Sequence, residues 1–490
     1  MRTTASLPIF IEERGGRTLQ EQIYLCIRQS IVDGLVCADQ RLPSSRVLAT
    51  DLGVSRTTAL LAVEQLRAEG YVVARPGSGT FIASRLPELR AFAVTPGAHT
   101  VARPPFSQRG QQLAHVQAPD RRRSGPACAF RLGTPALDLF PQRLWGQITR
   151  ECLRSQKVGH LDYSQLAGLP ALRAAIAEQV QARGTRCDAD QVQVVMGAQR
   201  GLDLIAHMLL DPGDMVWMEE PGYPGAHGAM LSAGAAMLPM RVDVHGMVVD
   251  ANHPDDARLA YVTPSCQFPL GVAMSLERRH ALLDWARRSQ AWIIEDDYDC
   301  DMRYERQPLP CLHALDPDSR VIYVGTFSKT LFPALRLGFL IVPRDLQAGF
   351  MAARLATDLH PPVLEQRVLT AFIERGHYDR HLRRMQAAYL ERLDALRRAI
   401  DRSGAPLRLR PVHAGMHAVV DLEGISAERV HAECTTRGIE TMPLSAYYCG
   451  TGPRANALLL GFGSVPPPAI RAAVTRLAQV VDDIDKEHHG

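Results

Sequence analysis

The sequence predicts two folds in series: an N-terminal, mostly α unit closed by a β wing, then a larger α/β unit ending in a smaller α+β lobe. Three observations carry this. Near the N-terminus, apolar residues recur every four positions and then give way to an alternating hairpin pattern. Beyond about residue 128, apolar strand-like runs alternate with helical stretches, as in a mostly parallel sheet covered on both faces. Between them, over 85–128, both patterns dissolve into a segment rich in Pro, Gly, Gln and Arg. With 490 residues, 46% hydrophobic and 22% charged, the chain can fill several cores.

The first unit spans 15–84. Leu19, Ile23, Ile27 and Ile31 form one face of a helix that Gly34 closes. A second, short helix runs from Arg46 to about Leu52, with Val47, Leu48 and Leu52 facing inward, and Gly53-Val54 makes a turn. Ser55 is suited to cap a third helix, because its hydroxyl accepts a bond from a free N–H of the first turn. That helix reaches Glu69, with Ala59, Ala62, Val63 and Leu66 on one side, and Gly70 stops it. "YVVARPGSGTFIA" then reads as two strands around Pro76, Gly77 and Gly79.

Helix, glycine turn, helix and hairpin make a winged helix-turn-helix outline. Its chemistry suits DNA. Ser55, Arg56, Thr57 and Thr58 sit where the third helix presents free N–H groups. Ser44 and Arg46 open the second helix and can hold backbone phosphates, and Gly77 lets the wing tip approach closely beside Arg75. Net charge is only +3, so such affinity is local to this unit.

Residues 85–128, with the run Arg121-Arg122-Arg123, read as a linker. The second unit spans 129–490. Its strand-like runs are "QVQVVM", "MVWM", "LAYVT", "AWIIEDD", "VIYVG" and "LGFLIV", with helices at Gly201–Leu210 and Leu276–Ser289 among them. From about 362 to 490, long amphipathic helices followed by "HAVVDLEG" and "ALLLGFG" form the smaller lobe.

The chemistry of the second unit centres on Lys329. It follows the run "VIYVG", and ligands in such sheets bind beyond the carboxyl ends of strands. A desolvated lysine there can attack an aldehyde. Thr326, Ser328 and Arg336 supply hydroxyls and a guanidinium for a phosphate. Gly197-Ala198-Gln199, between a strand and a helix, offers a second phosphate cradle. Asp296 ends the run "AWIIED", where a carboxylate can keep a pyridinium nitrogen protonated; Tyr298 can donate to a ring oxygen and Tyr223 can lie against a ring face. Together these residues define pyridoxal 5'-phosphate as the cofactor. No metal site is expected.

Both halves resemble known families. "RLPSSRVLATDLGVSRTTALLAVEQLRAEGYVVARPGSGTFIA" resembles the GntR-type winged helix, which implies DNA contacts by Arg46, Ser55, Arg56, Thr57 and Gly77. "FPQRLW", "YSQLAGLPALRAAIAEQVQARG", "GAQRGLDLIA", "EEPGYPG", "VTPSCQFPLG", "EDDYD" and "GTFSKTLFPALRLG" resemble fold-type I aminotransferases, most closely the MocR group of regulators (GabR-like), in which a GntR head is fused to such a domain. The resemblance implies that Lys329 condenses with the cofactor aldehyde, that Asp296 rather than Asp297 pairs with the ring nitrogen, that Tyr298 bonds the ring hydroxyl and that Tyr223 stacks. It puts Ala198, Gln199, Thr326, Ser328 and Arg336 near the phosphate. Tyr163 resembles the tyrosine that reaches the phosphate of the other subunit, which implies a homodimer.

Three positions depart from the family pattern. Phe268 stands where aminotransferases usually have Asn before Pro, which removes a bond to the ring oxygen that Gln267 could replace. "ALLLGFG" lacks the arginine that grips a substrate carboxylate, the nearest being Arg454, and Gly225 is bare where GabR has an arginine. The expected function is therefore a pyridoxal-phosphate-dependent transcription regulator that binds double-stranded promoter DNA and senses a small amine or amino-acid effector. An active aminotransferase with an autoregulatory head is the alternative, kept open by the intact lysine and aspartate. Scattered cysteines, the lack of a signal-peptide core and the lack of an apolar run of about 18 residues point to a cytoplasmic protein without a membrane partner.

Overall fold

The computed structural model describes residues 17–84, 106–114, 116, 128–250, 256–299, 301–304 and 309–489. The chain divides into two compact units, 1–104 and 105–490. Most of the expected linker, including Arg121-Arg122-Arg123, lies outside the described residues.

In the first unit, α1 (Leu19–Val32) opens with a capping box. Thr18 Oγ1 accepts the Glu21 N–H at 3.3 Å, and the Glu21 carboxylate accepts the Thr18 N–H at 3.0 Å. α2 (Ser45–Leu52) ends at Gly53 in the left-handed region, and α3 (Arg56–Ala68) follows. β1 (Val72–Arg75) and β2 (Gly79–Ile82) pair antiparallel, with Arg75 opposite Gly79. Ile23, Ile27, Ile31, Leu48, Ala59, Ala62 and Leu66 close one core with Tyr71, Val72 and Ile82. Two residues expected inward are not: Val47 is 48% exposed and Leu19 44%. A two-turn helix offers one inner stripe. Leu48 and Leu52 occupy it, and Val47 is turned about 100° away. Leu19 stands in the first turn, beyond the end of the core.

The second unit begins with α4 (Gln108–Ala114), a helix inside the stretch read as linker, then α5 (Gln142–Arg154) and α6 (Pro170–Gln181). An alternating series follows: β3 (Val192–Val195), α7 (Ala198–Leu209), β4 (Met215–Glu220), α8 (Pro224–Ala233), β5 (Ala236–Asp243), β6 (Gly246–Met247), β7 (Leu259–Val262), α9 (Leu276–Arg288), β8 (Trp292–Asp296), α10 (Leu312–Leu315), β9 (Val321–Thr326) and β10 (Gly338–Ile341). α4 packs on α8. The sheet order is β3-β10-β9-β8-β7-β4-β5-β6. β9, β8, β7, β4 and β5 run parallel, whereas β10 is antiparallel to both its neighbours. β3, β7, β8 and β10 are buried throughout, which is why they read as continuous apolar runs.

α11 (Gln347–Thr357), α12 (Val363–Glu374) and the long α13 (His377–Ser403) lead into a second sheet. That sheet is antiparallel, in the order β11 (Leu407–Leu409), β12 (His417–Leu422), β14 (Ala457–Gly461), β13 (Met442–Pro443). α14 (Ala427–Thr436) packs on β13 and β14, and α15 (Pro467–His489) packs on α13 and α14. Phe130 bridges to Gly461, so the start of the unit is tied to this sheet. Among the described residues, no helix is long and apolar enough to cross a membrane.

Candidate functional site

One cavity, about 810 Å³ counted to its open mouth, lies at the carboxyl ends of β7, β8 and β9 and the N-terminus of α7. It brings together Lys329, Asp296, Tyr298, Tyr223, Ala198, Gln199, Thr326, Ser328 and Arg336. These nine expected residues are spread over 139 positions of sequence, from Ala198 to Arg336 counted inclusively. Lys329 follows β9 and donates from Nζ to the Gly133 carbonyl at 3.0 Å. Asp296 is the last residue of β8. Its Oδ2 accepts from the Tyr261 hydroxyl at 2.7 Å, and its buried Oδ1 has no hydrogen-bond partner. Burial pushes its carboxyl up to about 6 against the hydrogen bond from Tyr261 and the charge of Lys329.

Asp297 turns the other way. Its Oδ2 accepts from the Tyr323 hydroxyl at 2.6 Å, in a separate small pocket with Arg183 and Asp301. The alternation of a strand therefore puts only one of the two neighbouring carboxylates beside Lys329.

At the other end of the cavity, Gly197 adopts φ +86° just before α7, a conformation a side chain would strain. The Arg336 guanidinium lies against it and donates to the Met196 carbonyl at 3.2 Å. The Ser328 N–H donates to Thr326 Oγ1 at 3.1 Å. Helix N-terminus, hydroxyls and guanidinium make an anion cup. Tyr223 caps α8 beside Gln199, whose amide donates to the Gly225 carbonyl at 2.8 Å. A Cβ on Gly225 would collide with the Tyr223 ring and Gln199 Oε1, so an arginine there is incompatible with this packing.

Gln267 does not replace the missing asparagine. It is fully buried, and its amide donates to Glu219, the Pro221 carbonyl and the Phe268 carbonyl at 3.2, 2.8 and 2.7 Å. Phe268 lines the cavity instead, as the hub of an aromatic cluster with Tyr223, Tyr298, His417 and Tyr447. The Tyr298 hydroxyl points to Cys266 Sγ at 3.7 Å. Arg454 is exposed, donates to the Gly450 carbonyl and does not line the cavity. Tyr163 is not in the cavity of its own chain; it is 81% exposed, edge-on to His360. Sequence reasoning missed Tyr261, Asp299 and His417, although Asp299 stands inside the motif "EDDYD".

In the first unit, the Ser44 and Ser55 hydroxyls cap α2 and α3, accepting the Val47 and Thr58 N–H groups at 3.3 and 3.0 Å. Thr58 Oγ1 lies 2.8 Å from Ser55 Oγ within the same cap. Arg46, Arg56 and Thr57 are exposed at those helix starts, and Gly77 forms the wing tip with φ +71°. Arg75 is held by Asp39 and by the Phe81 ring, 4.6 Å from its centroid.

Fold and cavity define a class: a winged-helix head on a chain whose larger unit has the aminotransferase architecture, with a lysine, a carboxylate and an anion cup in one cavity. Residues 141–476 match the family "Aminotransferase class I and II", and residues 19–82 match "Bacterial regulatory proteins, gntR family". The chain belongs to the aminotransferase class I and II family and, with its GntR head, is a MocR-type regulator. It is 39% identical to the probable rhizopine catabolism regulatory protein MocR of Rhizobium meliloti, over 94% of this chain and 93% of that one. It is 33% identical to the transcriptional regulator TauR of Rhodobacter capsulatus, over 96% and 98%. Among solved structures, the α-aminoadipate aminotransferase LysN of Thermus thermophilus, complexed with a phosphopyridoxyl-leucine, matches with a TM-score of 0.67 at 26% identity, over 77% of this chain and 95% of that one.

Proposed function

We propose that this chain is a transcription regulator whose head binds double-stranded promoter DNA and whose larger unit holds pyridoxal 5'-phosphate on Lys329 and senses a small amine or amino-acid effector. The observation that carries the reading is the unpartnered, buried Oδ1 of Asp296 in the same cavity as Lys329 and the anion cup. That oxygen fits a protonated ring nitrogen, and the cup of Gly197, Ala198, Thr326, Ser328 and Arg336 fits a phosphate. Bound there, the cofactor supplies an aldehyde for which Lys329 and an incoming amine compete. Tyr223 and Phe268 shield the ring from water, Tyr298 stands beside Cys266 for the ring oxygen, and the Gly133 carbonyl orients the Lys329 amine. In the head, Arg46, Arg56, Thr57 and the wing tip at Gly77 are the contacts, while Ser44, Ser55 and Thr58 orient the helix ends behind them.

We read the working form as a homodimer. Tyr163 stands on an exposed apolar stretch with Val158 and Leu161, suited to reach a partner's anion cup. An effector that prefers one of two dimer states would change how the two heads meet their half-sites.

The test is chemical. The protein should be yellow, and hydride reduction followed by peptide mapping should leave the pyridoxyl group on Lys329. Lys329→Ala should abolish that adduct while leaving the fold intact. An adduct on another residue, or none after incubation with the cofactor, overturns the reading.

A further inference from the structure

We propose that the effector is an amine that carries a second hydrogen-bond donor, ammonium or hydroxyl, in place of a carboxylate, and that Asp299 and His417 receive this donor. The proposal rests on the cofactor reading above and names the ligand class of the same cavity.

Asp299 lines the cavity three residues beyond Asp296, is 2% exposed, and neither of its carboxylate oxygens has a hydrogen-bond partner. It lies against the loop that leads into β12: a Cβ on Gly415 would sit 3.0 Å from its Oδ2. A buried carboxylate with no partner is costly, and a cavity lining that keeps one is built for a donor to arrive. Burial pushes this carboxyl up to about 7, against the charge of Lys329. A cationic or hydroxyl partner relieves that cost; a second carboxylate would add to it.

His417, the first residue of β12, lines the same cavity. Its Nε2 lies 3.0 Å from the Pro269 carbonyl, an acceptor only, so Nε2 carries the proton. Burial pulls the imidazole down to about 4, so the ring is neutral and Nδ1 is an acceptor. The cavity thus adds two further acceptors to those expected for the cofactor.

Donors for a carboxylate are missing at the same place. Among the described residues lining the cavity, the cations are Lys329 and Arg336. Arg336 belongs to the anion cup beside Gly197. β14, which carries no arginine, is buried Ala-Leu-Leu-Leu-Gly. Leu459 packs there with Val419, Leu444 and Tyr447. A ligand carboxylate would meet Asp299 and apolar side chains, which is discrimination by an unfavourable alternative as much as by attraction.

The experiment uses the full-length protein loaded with cofactor and four amines of one chain length: diaminobutane, aminobutanol, aminobutanoate and butylamine. Each is titrated against the visible spectrum, with calorimetry alongside. Diaminobutane and aminobutanol should act at roughly tenfold lower concentration than the other two, the discrimination expected from one buried acceptor left unpaired. In Asp299→Asn the advantage of diaminobutane should collapse, with cofactor absorbance retained. Aminobutanoate acting as well as or better than diaminobutane overturns the proposal, as does an unchanged ranking in Asp299→Asn. If that variant fails to fold, the wild-type ranking decides alone. Failure of the cofactor reading is distinguishable: the protein is then colourless and gives no trapped adduct before any amine is added, and the calorimetric ranking still decides the ligand class.

Discussion

Asp296 and Asp297 are chemically identical neighbours with different partners, Tyr261 for one and Tyr323 for the other. The sequence names both; only the resemblance preferred Asp296, and the pleat of β8 supplies the physical reason. Asp299 reads as solvated from sequence because it is a carboxylate three residues past a strand, and only the fold brings the Gly415 loop over it. Asp296→Asn should weaken cofactor retention by about 2–5 kcal/mol, the range for removing one partner of a buried charge pair, whereas Asp297→Asn should leave it near wild type. Equilibrium dialysis measures both. The sign of the pH dependence follows from the raised carboxyl of Asp296. A cationic ring nitrogen needs the ionised form, so retention holds above about 6 and declines as pH falls through that value. That decline should be missing in Asp296→Asn. Gly225→Ala tests the close packing around Tyr223. The added methyl forces the ring and Gln199 aside and should destabilise the cofactor-free protein by about 1–3 kcal/mol in denaturant unfolding.

The recognition-type helix α3 shows how an element separates stability from contact. Ser55 spends its hydroxyl on the Thr58 N–H, while Arg56, one residue on, is exposed. Ser55→Ala should therefore cost the head about 1 kcal/mol of stability, as loss of an N-cap does. Arg56→Ala should leave stability unchanged and weaken promoter binding by about 1–3 kcal/mol if the side chain reads a base. Thermal unfolding and a gel-shift titration of both variants decide it; equal DNA affinity for wild type and Arg56→Ala removes that residue from the interface. Helix positions in this unit were legible to within a residue or two, because caps and glycines punctuate it. Val47 was misplaced because eight residues are too few for periodicity to fix which stripe faces inward.

At the scale of the whole molecule, the division into two units was legible from the break in hydrophobic pattern, and the parallel order from buried strands alternating with helices. The antiparallel β10 between β3 and β9, and the bridge from Phe130 to Gly461, were not, since each joins segments distant in sequence and leaves no local periodicity. The head has its own core, with Ile23, Ile27, Leu48, Ala62 and Leu66 enclosed, and the described residues that line the cavity belong to the larger unit. Ligand binding stabilises the cooperative unit that contains its site and no other. Saturation with pyridoxal phosphate at 100 times its dissociation constant should therefore raise the stability of the larger unit by about 2.7 kcal/mol. Scanning calorimetry of the full chain should then show two transitions, one moved upward by the cofactor and one, assigned to the head by its loss in a chain lacking the first 104 residues, left in place. A single transition that moves as a whole would mean that the two cores unfold together, and that the cofactor's binding energy reaches the head through the chain between them.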